Sequence, residues 1–271
     1  MMDIEVTAFN TSDWTFDYSQ IVQMRGLGSE YTAKCPSYLV EHPEGTVLVD
    51  TGVSYEALND PVGYDAPHME AMKGMVTMTP DHELTAQLDD AGYDPADVDI
   101  VVLSHLHLDH AGEITAFPDA EFVVQQDELR YAWWPDQAQW TFYLEEDIAP
   151  LRSHDYDVTV ADGRYDVFGD GSLVCLPTPG HTPGHQSLLL RSVEDRSVLL
   201  AADVAHVRDA YEKELCTAFS WSVDESVASI RKVRDRVREE DALLAFLHDA
   251  DDLETLVEQP GFDVRDPSSD N

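Results

Sequence analysis

The sequence predicts a mixed α/β protein. Three observations carry that expectation. Two strand-like segments flank a turn at residues 43–45. An apolar run at 99–104 leads into a histidine cluster. Strand patterns and helical patterns alternate through both halves of the chain.

Residues 5–9 alternate weakly, as a half-buried strand does. Segments 37–41 and 46–50 flank Pro43-Glu44-Gly45 and predict a hairpin. Residues 53–80 carry Gly, Pro and four Met without a clear period, which predicts loops with a short helix. Residues 81–91 predict a helix that Gly92 stops. Asp99-Ile100-Val101-Val102-Leu103-Ser104 reads as a strand buried on both faces. A short helix over 111–117 and a strand over 121–125 follow. Strands are predicted at 156–160, 173–176, 186–190 and 197–201. Ser222 and Glu225 form a capping box, and Val227, Ile230, Val233 and Val237 recur behind it at helical spacing. A last strand is expected at 243–247 and a last helix at 252–258. No linker divides the chain, so residues 1–265 are read as one domain and 266–271 as a disordered tail.

Charge sets the environment rather than the fold. The 271 residues carry a formal net charge of −38, and the only lysines are Lys34, Lys73, Lys213 and Lys232. Such a surface repels nucleic acid phosphates and anionic lipid, so neither is expected as a partner. The acidity runs along the whole chain, which points to a protein adapted to concentrated salt, in the cytoplasm of a halophile. The three cysteines, Cys35, Cys175 and Cys216, fit neither a disulfide framework nor a thiolate zinc site. The first residues show no signal peptide, and no apolar run is long enough to span a bilayer.

The chemistry concentrates in His105-Leu106-His107-Leu108-Asp109-His110. In an extended chain His105, His107 and Asp109 project to one face, with His110 at the turn beyond. A lone histidine is more often a satisfied core residue. Three His and one Asp within six residues instead point to a metal, because neutral imidazole and carboxylate suit zinc, iron, manganese or cobalt. Pro179-Gly180-His181-Thr182-Pro183-Gly184-His185 predicts a tight loop that brings His181 to a shared site, with His185 as a hydrogen-bonding or packing residue. Asp203 and His248 each end an apolar strand. Alone, either is as easily a cap or a turn residue.

In this order, these segments resemble the metallo-β-lactamase superfamily, over nearly the whole chain from Asp50-Thr51-Gly52 to His248-Asp249. The resemblance implies a four-layered αβ/βα sandwich, two mixed sheets face to face with helices outside. It implies one divalent metal on His105, His107 and His181, a second on Asp109, His110 and His248, and Asp203 bridging both. Within the superfamily, the chain is most similar to the N-acyl homoserine lactonases. That implies a hydrolase, of zinc first among the metals named, which opens a small-molecule lactone by attack of a metal-bridging hydroxide, with Asp109 passing the proton on. Those lactonases commonly carry a Tyr three residues after the bridging Asp; here that position is His206, a second catalytic candidate or a bystander on a turn. Met69, Met72, Met75, Trp133 and Trp134 are candidates for the acyl pocket, though Met and Trp more often pack a core. Two alternatives stand: a glyoxalase II-like thioesterase or other ester hydrolase, and a mononuclear iron persulfide dioxygenase. A homodimer is left open.

Overall fold

In the computed structural model, which describes residues 4–59 and 66–270, the strands form two sheets. β1 (Glu5–Asp17), β2 (Glu30–His42) and β3 (Gly45–Val49) pair antiparallel, and β4 (Val76–Thr77) pairs with β1. β5 (Ile100–Val102), β6 (Glu121–Gln125) and β7 (Asp157–Ala161) extend this sheet in parallel beside β3. The second sheet holds β8 (Tyr165–Asp166), β9 (Leu173–Pro177), β10 (Gln186–Val193), β11 (Arg196–Leu200) and β12 (Leu243–Ala245). β13 (Phe262–Arg265) returns to the first sheet, parallel to β1.

The two-residue side-chain period of these strands builds the layers. Leu39, Leu48, Val101 and Phe122 are successive cross-strand neighbours. They face outward and pack on Leu84 and Leu88 of the helix Leu84–Ala91, with Ile114 and Phe117. Val49, Val102 and Val123 form the row behind them and face the second sheet, where they share a core with Cys175, Leu188, Leu190, Val198 and Leu200. On the far side, Val174, Leu189 and Leu199 pack against Ile230 and Val233 of the helix Val223–Glu240. The order is helix, sheet, sheet, helix. Each buried Val or Leu contributes about 1.5–3 kcal/mol against exposure, so this alternation outweighs local propensity.

The hairpin over 37–50 and the doubly buried strand appear as predicted, and Gly92 caps its helix in the left-handed conformation at φ 91°. Ser222 caps the long helix by accepting from Glu225 N at 3.3 Å. The methionine-rich stretch holds two short helices, Tyr55–Asn59 and Ala66–Lys73; residues 60–65 of it lie outside the described residues.

One expectation is corrected. The helix after the histidine motif begins at Leu108, so Asp109 and His110 sit on its first turn and the strand stops at Val102. Extended-strand alternation therefore does not explain the clustering. The strand ends because side chains take its amides: Asp50 Oδ1 accepts from Ser104 N at 2.7 Å, and Glu128 Oε1 from Leu106 N at 3.0 Å. The segment after Arg265 makes defined contacts. Pro267–Asp270 forms a 3-10 turn, and Asp266 accepts from Asn10 Nδ2 at 2.9 Å and lies 2.7 Å from Lys34 Nζ. Composition alone marked it as unstructured; its ion-pair partner lies far away in sequence. Among the described residues, no helix is long and apolar enough to cross a membrane.

Candidate metal centre

Four strands end at one rim of the two sheets, and each delivers a polar side chain there. His105, His107 and the helix Leu108–Ala111 follow β5. His181 follows β9, Asp203 follows β11, and His248 follows β12. All seven predicted ligand residues converge, and all but Asp109 are buried.

The side chains form two groups around one carboxylate. In the first, the ligand atoms of His105, His107 and His181 lie within 4.8 Å of one another, with His107 Nδ1 3.0 Å from His181 Nε2. In the second, His110 Nε2 lies 3.6 Å from Asp109 Oδ2, and His248 Nε2 lies 3.7 Å from the same oxygen. Asp203 stands between. Its Oδ1 is 3.6 Å from His110 Nε2 and 3.3 Å from His248 Nε2; its Oδ2 is 3.3 Å from His181 Nε2. Ala202, just before it, holds a left-handed φ of 48°, a backbone strain of the kind kept at functional sites.

The chemistry of this donor set fits divalent cations. Burial pushes the His107 imidazole down to about 4 and holds His105 and His181 well below the usual histidine range. These three are neutral, with lone pairs free to donate. Burial alone would push the Asp203 carboxyl up, but the charge of the histidines beside it, His248 first and then His110, holds it well below the carboxylate range, so it is ionised. His105 Nε2, His110 Nε2 and Asp203 Oδ1 are buried without a hydrogen-bond partner. Each such atom costs about 1–3 kcal/mol unless something coordinates it.

A surrounding layer fixes ring orientations. Asp50 Oδ2 accepts from His110 Nδ1 at 2.8 Å and from Ser104 Oγ at 2.8 Å. Gln139 Oε1 accepts from His107 Nε2 at 3.0 Å, and the Lys34 carbonyl accepts from His248 Nδ1 at 2.6 Å. His185 is not among the converging ligands: its Nε2 accepts from Asp203 N at 2.8 Å, and its Nδ1 donates to the Thr178 carbonyl at 3.0 Å. Buried Glu128 ties the two ligand loops together. It accepts from Leu106 N, the Tyr143 hydroxyl at 2.9 Å, Thr182 Oγ1 at 2.6 Å and Gly184 N at 3.1 Å. Residue 184 must be glycine, because a Cβ there would come within 2.1 Å of Glu128 N.

Asp50, Gln139 and Glu128 escaped the sequence reading. Asp50 carried a faint signal, as the polar end of a predicted strand. Its contact with His110 exists only because β3 and β5 are neighbours. In Asp50→Asn the amide nitrogen meets at least one donor in either orientation. We expect affinity for one metal to fall about 10–100-fold, measured by chelator competition, with the other site little changed.

The centre opens into a cavity of about 190 Å³, lined by Trp14, Phe16, Met72, Met75, Phe142 and Phe219. His206 lines the cavity. It is 3% exposed, with Nε2 3.3 Å from Asp203 Oδ2. Of the other pocket candidates, Met69 is buried in a neighbouring apolar cluster, Trp133 lines a separate hollow with Trp140, and Trp134 is 82% exposed. The two tryptophans follow the helix Gln126–Ala132, whose end lies outside this cavity.

Comparison with known proteins agrees with this geometry. The pattern described as the Metallo-beta-lactamase superfamily matches residues 32–239. The chain belongs to the metallo-beta-lactamase superfamily. Within the superfamily, it is 34% identical over 263 residues to the N-acyl homoserine lactonase AttM of Rhizobium radiobacter, covering 97% of this chain and 99% of that protein. It is 32% identical over 212 residues to the N-acyl homoserine lactonase AiiA of Bacillus thuringiensis subsp. kurstaki, covering 78% and 80%. A solved N-acyl homoserine lactone hydrolase, with the product N-hexanoyl-L-homoserine at its catalytic metal centre, superposes with a TM-score of 0.80. That match has 28% identity and covers 94% of this chain and 97% of the other.

Proposed function

We propose that this superfamily member is a dinuclear metal-dependent lactonase that opens N-acyl homoserine lactones. One observation carries the reading: a buried centre with two donor groups forms the floor of a cavity walled by Trp, Phe and Met. The full-length similarity to named lactonases supports it.

The proposed ligands are His105, His107 and His181 for one metal and Asp109, His110 and His248 for the other, with Asp203 shared. Nitrogen and oxygen donors of this kind suit zinc first, then iron, manganese or cobalt. When bound, two such ions supply a Lewis acid and activate water. The chain's own groups do the rest. Phe142, Phe219, Trp14 and Met75 hold the acyl chain by apolar contact. His206 donates a hydrogen bond to the lactone carbonyl from the cavity wall. Asp109, the partly exposed carboxylate of the set, carries a proton to the departing ring oxygen. No serine or cysteine nucleophile is needed; Cys35, beside the centre, is buried and donates to the Asp109 carbonyl at 3.1 Å.

Elemental analysis on protein purified in concentrated salt, followed by a panel of homoserine lactones and acyl thioesters, tests the proposal. Two metals per chain and lactone turnover are expected. Thioester turnover without lactone opening would transfer the assignment to a glyoxalase II-like enzyme. One iron per chain with oxygen uptake on persulfides would make it a dioxygenase. The complete second group of donors stands against that reading. His206→Ala should lower kcat about 10²–10³-fold with metal content retained.

The cytoplasm of a salt-accumulating halophile is the setting we propose, with residues 1–265 acting as one domain. At a net charge of −38, self-repulsion is screened over about 3 Å in molar salt but about 10 Å at 0.1 M. The melting temperature should therefore fall as salt is diluted across that range. A melting temperature independent of salt would exclude the adaptation.

A further inference from the structure

The second donor group is braced by a network that begins at the C-terminus. β1 and β2 lose register between Asn10 and Asp13. Opposite that irregularity stand Lys34 and Cys35, and both lead directly to the centre. The Lys34 carbonyl accepts from His248 Nδ1 at 2.6 Å, and Cys35 Sγ donates to the Asp109 carbonyl at 3.1 Å.

The same two residues are held from the other side. Lys34 Nζ lies 3.0 Å from Asp13 Oδ1 and 2.7 Å from Asp266 Oδ2. Asn10 Nδ2 donates to Asp13 at 2.8 Å and to Asp266 at 2.9 Å, while Asn10 Oδ1 accepts from Cys35 N at 3.0 Å. Thr11 Oγ1 donates to the Cys35 carbonyl at 2.7 Å. The tail is pinned again where Ser268 Oγ meets His82 Nε2 at 2.9 Å.

We propose that the segment after Arg265 is a clasp: Asp266 fixes Lys34 and Asn10, and through their backbone partners it positions His248 and Asp109. Asp266 and Lys34 are positioning residues that touch neither metal nor substrate. The inference rests on the proposed ligand assignment. It adds that one of two metals depends on the segment after Arg265, because among the described residues none of these bonds reaches His105, His107 or His181.

Four variants test it in concentrated salt: Asp266→Asn, a chain ending at Arg265, the control Asp263→Asn, and His248→Ala. Asp263 lies on β13, is exposed, and among the described residues its carboxylate pairs with half-buried Arg265 alone. Zinc content after dialysis, chelator competition and melting temperature are read for each. We expect wild type and Asp263→Asn to hold two zinc ions. Asp266→Asn and the shortened chain should keep one and bind the other about tenfold more weakly, at the low end for groups behind a ligand. Excess zinc should restore their activity. Wild-type affinity for both ions in Asp266→Asn and in the shortened chain overturns the clasp. Loss of both ions together with a lowered melting temperature also overturns it, because the tail would then serve general stability. If His248→Ala itself keeps both ions at wild-type affinity, the ligand assignment fails first.

Discussion

Asp203→Asn should lower kcat/KM about 10³-fold and reduce metal content from two per chain to one or none. The expectation follows from how the carboxylate is shared. Oδ1 faces His110 and His248, and Oδ2 faces His181 and His206, so among the described residues no other side chain touches both donor groups with separate oxygens. Asparagine keeps the shape but replaces one oxygen with a donor nitrogen, and it removes the negative charge held between the two groups. Elemental analysis and steady-state kinetics check the result. Full metal content with wild-type kcat/KM would show that Asp203 is not a bridge.

Glu128→Ala should carry the largest stability effect. The carboxylate is fully buried and accepts from two backbone amides and two hydroxyls, drawn from both ligand loops and from Tyr143. Alanine leaves four buried donors without an acceptor. At about 1 kcal/mol each, the lower bound for such groups, the loss is about 4 kcal/mol. A chain of this size loses about 2–4 °C per kcal/mol, so the melting temperature should fall by roughly 10 °C. Glu128→Gln tests the same logic more finely. Its carbonyl still accepts, but its amide points two hydrogens at two donors, so it should fall between wild type and Glu128→Ala. A melting temperature within about 2 °C of wild type for Glu128→Ala would mean that water replaces the carboxylate. Metal affinity should fall in parallel, since His107 and His181 are positioned by the loops that Glu128 joins.

Much of the fold was legible because its strands repeat every two residues and its long helix every 3.6. Val101 and Val102 point into different cores, which is why that run is apolar throughout. What stayed hidden depended on distant partners. β13 is four residues long and is a strand because β1 accepts it. The histidine motif reads as an extended continuation of β5, yet Asp50 and Glu128 capture its amides and turn it into a loop and a helix. The tail has the composition of disorder but meets Lys34.

The sequence by itself determined the kind of chemistry. The residue types at 105–110, 181, 203 and 248 have lone pairs for metals at neutral pH, and their order fitted one superfamily. Tertiary structure decided which atoms face each other. It set Asp203 between two groups, gave His206 a place on the cavity wall and sent Trp134 into solvent. The reason is that a side chain's type is local, whereas its partners are fixed by strand pairing and by hydrogen bonds between residues tens to hundreds of positions apart.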